Sequence, residues 1–204
     1  RFEEKEHTVM VPARYRGEIK AAKGIRNDLI VIEELIESGK TPSEIMDISL
    51  QLRKNENLIR KAYFAKRYKE TPPFREVKVY WHVGESGSGK SHTQLELIEK
   101  YGESNVYIMT DYDSGGFDLY EGQPILFMDE FKGSMKYQAL LNYLDGYKIE
   151  IHCRYNNTYA LWTEVHITSI YPPEEAYNFM VDKDKQERDR ISQLLRRLDY
   201  VVYH

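Results

Sequence analysis

Apolar residues recur at Leu29, Ile32, Leu35 and Ile36 behind Asp28, and Gly39 follows them, so the first readable element is a helix with both a start and a stop signal. Thr41-Pro42-Ser43-Glu44 then reads as a capping box with proline at the first helical position. A third helix covers roughly 54–69, and Pro72-Pro73 ends it. From Arg75 the period changes. VKVYWHV (77–83), NVYIMT (105–110), PILFMDEF (124–131), EVHITSI (164–170) and YVVYH (200–204) read as strands, and SHTQLELIEKYG (91–102), MKYQALLNYLDGY (135–147) and DKDKQERDRISQLLRRLD (182–199) as helices. KIEIHCRY and TYALW, meeting across Asn156-Asn157, predict a β-hairpin. The pattern predicts an α/β fold, a mostly parallel sheet flanked by helices, behind a small all-α unit. Residues 1–24 show no sustained period and are expected to be a leader or linker, with 25–71 helical and 72–204 the α/β part.

At 204 residues and 41% hydrophobic, the chain can bury a sizeable core in one or two domains. Its apolar runs are strand-length, short of the roughly 20 residues that cross a bilayer, and no secretory leader is evident, so neither a membrane nor an extracellular setting is expected. The chain opens on Arg1 inside a charged stretch, RFEEKEHT, which reads as a cut within a longer protein. A lone Cys153 excludes an internal disulfide, and the six histidines lack ligand spacing, which leaves carboxylates, hydroxyls and phosphate for metal chemistry. The net charge of −4 is unevenly spread: residues 1–78 carry 17 Lys and Arg against 13 Asp and Glu, and 79–204 carry 12 against 20. Seven of the basic residues fall between Arg53 and Lys69, with Tyr63, Phe64 and Tyr68 interleaved. Such a run either follows a nucleic-acid backbone or is the wet face of a helix whose aromatics are core, and the second reading is preferred. Residues 25–69 could be a helix-turn-helix reader or a bundle that packs on copies of itself; the absence of Arg, Asn and Gln at a helix start favours the bundle.

The chemistry lies in the α/β part. GESGSGKS (84–91) has Gly84, Gly89, Lys90 and Ser91 at P-loop spacing, after a strand and before a helix. Backbone amides from Gly84 through Glu85, Ser86, Gly87, Ser88 and Gly89 to His92 would surround the phosphates of ATP, Lys90 would reach the β- and γ-phosphates, and the Ser91 hydroxyl would ligate Mg²⁺. The complementary acid comes at the end of the apolar run Ile125-Leu126-Phe127-Met128. Asp129 would hold the Mg²⁺ shell and Glu130 would orient or deprotonate water, a pairing suited to hydrolysis and not to a small P-loop kinase. Only 39 positions separate Lys90 from Asp129, and there is no second core, which suggests subunits completing one another's sites. The γ-phosphate also needs an arginine, and Arg196 and Arg197 are the candidates to act in trans.

GESGSGKS, FDLYEGQPILFMDEFKG, IEIHCRYNNTYALW, VHITSIYPPEEAY and LLRRL, in that order, resemble the superfamily 3 helicase domain of replication initiator (Rep) proteins of circular single-stranded DNA viruses and related bacterial plasmids. The resemblance covers roughly residues 20–204; the same core is similar to the RNA helicase domain of small RNA viruses. It implies an AAA+-like P-loop ATPase using ATP and Mg²⁺, a hexameric ring moving 3′→5′ on single-stranded DNA, or on RNA, during rolling-circle replication, and a helical collar at 25–71 for oligomerisation. It implies a cytoplasmic setting for a bacterial or plasmid protein, or the host nucleus for a eukaryotic virus. The resemblance further implies Walker motifs at Gly84–Ser91 and Asp129-Glu130, and a pore hairpin with Arg154 at the usual lysine, aided by Lys148, Asn156 and Asn157. It implies a motif C ending Thr168-Ser169, and the place of LLRRL within it slightly prefers Arg197 over Arg196 as the arginine acting in trans. The nuclease half of such proteins, with its His-hydrophobic-His motif, has no counterpart here. One position departs from the pattern: the sensor asparagine after Thr-Ser is Ile170, so Ser169 or Thr168 substitutes or hydrolysis is slow. A nucleotide-switched assembly module with little turnover is the alternative.

Overall fold

The computed structural model describes residues 27–113, 115–177 and 188–204; the expected leader 1–24 and the start of the last expected helix lie outside the described residues. Four helices come first: α1 (Asn27–Glu37), α2 (Pro42–Ile48), α3 (Leu50–Arg53) and α4 (Glu56–Glu70). The capping box is made in full. Glu44 N–H donates to Thr41 Oγ1 at 3.3 Å and Thr41 N–H donates to Glu44 Oε2 at 2.8 Å. The sequence gives no reason to break the second helix, but Ser49 does so, adopting extended backbone and capping α3 through Leu52 N–H. Ile32, Ile36, Ile45, Met46, Leu52 and Ile59 form a small apolar cluster among these helices.

The α/β part comprises β1 (Lys78–Val83), α5 (Lys90–Tyr101), β2 (Val106–Met109), β3 (Ile125–Met128), α6 (Tyr137–Leu144), β4 (Glu150–Ile151), β5 (Thr158–Tyr159), β6 (Glu164–Ser169), α7 (Arg188–Leu195) and β7 (Tyr200–Tyr203). The five longer strands form one sheet, all parallel, in the order β2-β3-β6-β1-β7. Consequently β1 and β3, which lead into the two motifs, do not touch; β6 lies between them, with His82 opposite Thr168 and Met128 opposite Ile167. Trp81, Leu126, Phe131, Leu140, Trp162 and Val165 are among the residues of the main core. The expected tight hairpin is shorter than its sequence suggests. Only two residues on each side pair, and a six-residue loop, 152–157, joins them. The Asn156-Asn157 amides donate to Asn57 Oδ1 and Glu150 Oε1, so they are anchored side chains of a longer loop and not the two corners of a two-residue turn.

Helix α4 belongs to both cores, with Ile59 in the small cluster and Tyr63 and Phe64 in the large one. The aromatics of the basic run are therefore spent on packing. Three of its seven cations are paired with carboxylates: Arg60 with Glu56 and Glu121, Lys66 with Glu37, Arg53 with Asp47. Glu121 is buried at this seam and also accepts from Ser43 Oγ at 2.8 Å.

Candidate functional site

Parallel strands place their carboxyl ends along one edge of a sheet, where ligands of open α/β folds bind. At this edge β1 turns into the P-loop, β3 into Asp129-Glu130, and β6 ends on Thr168-Ser169. Gly84 N–H donates to Ser169 O at 3.1 Å. A Cβ on Gly84 would run into the Ser88 side chain, and Gly87 (φ +84°) and Gly89 (φ +102°) occupy the left-handed region that glycine enters freely. Gly89 caps α5 with no side-chain acceptor, so the first amides of a twelve-residue helix face outward together with the positive end of its dipole. Ser88 Oγ is buried without a partner, an orphaned donor inside a loop built to meet phosphate. The Lys90 ammonium is nearly buried and folds onto the carbonyls of Gly84 and Glu85, where it holds the loop closed. Glu85, Ser86, Ser91 and His92 are exposed.

The acidic turn is held from β6. Thr168 is fully buried; its hydroxyl donates to Asp129 Oδ1 at 2.8 Å and accepts from Glu130 N–H at 2.9 Å. Phe131 N–H donates to Thr168 O at 2.8 Å, Ser169 Oγ donates to Phe131 O at 2.7 Å, and Tyr171 N–H donates to Ser169 Oγ at 3.0 Å. Asp129 N–H donates to Met109 O, and the Tyr112 hydroxyl donates to Asp129 O; burial pushes that phenol well above its ordinary range. Glu130 has φ +50°, among the described residues the one non-glycine with positive φ, and its carboxylate is exposed, 3.6 Å from Lys132 Nζ. Ile170 is exposed and contributes no polar atom. No cluster of three or more His, Cys, Asp or Glu suited to a metal occurs among the described residues. A single carboxylate with a hydroxyl instead suits Mg²⁺, which keeps waters and takes further oxygens from substrate phosphates. Ser91 and Asp129 would hold it, and it would supply charge neutralisation between phosphate oxygens.

Behind the P-loop runs a chain of imidazoles absent from the sequence reading. His204 Nε2 lies 2.9 Å from His82 Nδ1, His82 Nε2 lies 3.0 Å from His166 Nδ1, and His166 Nε2 lies 2.8 Å from Glu164 Oε1. A carboxylate can only accept, so each neutral ring must carry its proton on Nε2 and donate toward Glu164. Burial, then the neighbouring His166 and His204, lowers the His82 pKa to about 4. The period-two placement of Tyr80 and His82 on β1 and of Glu164 and His166 on β6 is visible in the sequence; their pairing needs the register.

The remaining candidates sit outside the P-loop and the acidic turn, Arg154 against Gly115 in the loop that follows β2. Arg154 pairs with the buried carboxylate of Asp118 at 2.6 Å, and Lys148 Nζ donates to Tyr68 O at 2.6 Å while sitting 4.4 Å above that ring. Arg197 pairs with Asp145 at 2.7 Å, and Arg196 is exposed. Both arginines precede β7, at the opposite end of the sheet from the P-loop, so neither meets the P-loop of its own chain. A cleft of about 750 Å³ lies elsewhere, at the seam of helices and sheet; its Lys66 is paired with Glu37, and its Arg75 donates to the carbonyls of Trp162 and Tyr147.

Residues 80–169 match the RNA helicase family model. The replication-associated protein of Goose circovirus is 32% identical over 130 residues, which are 62% of this chain and 41% of that protein, so the chain spans well under half of the relative's length. Among solved structures, a closed-state reconstruction of Hsp104 with ATPγS and casein covers 89% of this chain and 35% of its own at 15% identity and a TM-score of 0.41, too distant to carry an argument. No helix among the described residues is long and apolar enough to cross a membrane. The family match takes in the P-loop, Asp129-Glu130 and Thr168-Ser169, and together with the circovirus relative it supports the resemblance to the superfamily 3 helicase domain of Rep proteins.

Proposed function

We propose that this chain is an ATP-hydrolysing helicase domain of a rolling-circle replication initiator, working as a ring on single-stranded DNA. The observation that carries the reading is the meeting of the P-loop and Asp129-Glu130 at one sheet edge, one strand apart across β6. Strands lie about 4.8 Å apart, so the two motifs face each other over roughly 10 Å, room for a triphosphate and its cation. Lys90 would leave the loop carbonyls for the phosphates, Ser91 and Asp129 would hold Mg²⁺, and the exposed Glu130 would take the proton of the attacking water. Because Arg196 and Arg197 lie at the far end of the sheet, charge on the γ-phosphate would be met by a neighbouring subunit, and exposed Arg196 is the freer of the two. Arg154, released from Asp118, with Lys148, Asn156 and Asn157, would face the nucleic acid in the pore. The exposed apolar residues Leu29, Val31, Ile48, Leu50 and Leu58 on the helices support their use as an oligomerisation collar in a hexamer.

The inward-turned hydroxyls of Thr168 and Ser169, with Ile170 beside them, favour as second reading a nucleotide-switched assembly module. One experiment separates the two: ATP turnover with and without single-stranded DNA, beside sedimentation with and without Mg·ATP. DNA-stimulated turnover by a ring supports the motor. Assembly on nucleotide with negligible turnover supports the switch, and neither response overturns both.

A further inference from the structure

The end of β6 ties the nucleotide loop to the acidic turn through one pair of adjacent residues. Gly84 N–H, the first amide of the P-loop, rests on Ser169 O, and the Ser169 hydroxyl rests on Phe131 O. Thr168 grips the other side of the turn three times, through Asp129 Oδ1, Glu130 N–H and Phe131 N–H. A hydroxyl has one proton. With that proton on Asp129, the oxygen's remaining capacity is what receives Glu130 N–H, so the aspartate rotamer and the glutamate backbone are set by the same atom. Glu130 also needs such a grip. A left-handed conformation at a residue with a Cβ is costly and persists where surrounding bonds over-determine it.

We propose that Thr168 is a positioning residue for hydrolysis: its hydroxyl holds one oxygen of Asp129, leaving the other for a cation, and fixes Glu130 in the backbone that points its carboxylate away from the sheet. Ser169 carries the position of the P-loop to the same turn. The strand end thus acts by holding the acids and not by touching the γ-phosphate, for which it has no outward polar side chain, Ile170 being aliphatic. This rests on the hydrolytic reading above for its consequence, though not for its geometry.

The test uses Thr168→Val, which keeps the shape and removes the hydroxyl, and Thr168→Ser, which restores it. Two readouts are needed. In hydrogen exchange of the unliganded protein, the Glu130 amide should exchange at least tenfold faster in the valine variant and within threefold of the parent in the serine variant. At saturating Mg·ATP, turnover should fall at least thirtyfold for valine and stay within threefold for serine, with nucleotide affinity changed less than threefold in both. An unchanged Glu130 amide in Thr168→Val overturns the clamp whatever the turnover, and so does a valine variant as active as the parent. A parent without turnover sinks the hydrolytic reading, and the exchange result then judges the clamp alone.

Discussion

Replacing His82 by Gln tests the imidazole chain, because an amide can accept from His204 and donate toward His166 but cannot take up a proton. In the folded protein His82 is almost fully buried and titrates near 4, against 6.5 for an ordinary histidine. The rings beside it are His166 of β6, His204 just past β7 and Tyr80 of its own strand, while Glu164 and Lys100 act on His166 and Tyr200 stacks on Tyr80. The depressed value means that the fold favours the neutral ring. The unfolded chain binds a proton first as pH falls through about 6.5, so stability is at its full value above that pH and is lost progressively down to about 4. At about 1.4 kcal/mol per unit the shift is worth ~3 kcal/mol, reduced to ~2 kcal/mol because the exposed His204 lets water screen one side. Urea unfolding followed through Trp81 and Trp162, both fully buried, would read it. Between pH 7.5 and 4.5 the parent should lose ~2 kcal/mol more than the Gln variant, carboxylate titrations cancelling in the difference. A parent and variant that lose stability in parallel would refute the reasoning.

Lys90→Ala should lower ATP turnover at least ~100-fold while leaving the urea midpoint nearly unchanged, since the ammonium contacts loop carbonyls and no core group. Glu130→Gly should abolish turnover yet raise stability by about 1 kcal/mol, as measured by thermal unfolding, because glycine relieves the left-handed backbone. Glu121→Ala leaves the half-buried Arg60 with Glu56 alone and Ser43 without its acceptor, and should cost about 2 kcal/mol in urea unfolding.

The P-loop was legible because its chemistry is local: eight consecutive residues between an apolar run and a helical one state both the loop and its neighbours. The succession of strands and helices was legible for the same reason, and a mostly parallel sheet followed from their alternation. Asp129-Glu130 could be found because a buried strand stops abruptly on two acids. What holds them could not, since Thr168 lies 38 to 39 positions away and reaches them only through the pairing of β3 with β6. The hairpin is present, but its turn is longer than the Asn-Asn dipeptide suggests, because both amides serve as side-chain tethers. The histidines looked scattered because spacing along a chain detects chelation within an element, whereas these three meet across strands 84 and 122 positions apart.

The position of β1 in the sheet bears on how the molecule is made. It is flanked by β6 on one side and by β7 on the other, and Tyr80 pairs with Tyr200. A nascent chain therefore exposes a free edge on the strand that feeds the P-loop until 120 more residues have been synthesised, and the closing contact is among the most distant in sequence. Ribosome-bound chains halted before residue 200 should show that edge to any strand-seeking partner, so the nucleotide site matures last although its defining motif emerges early.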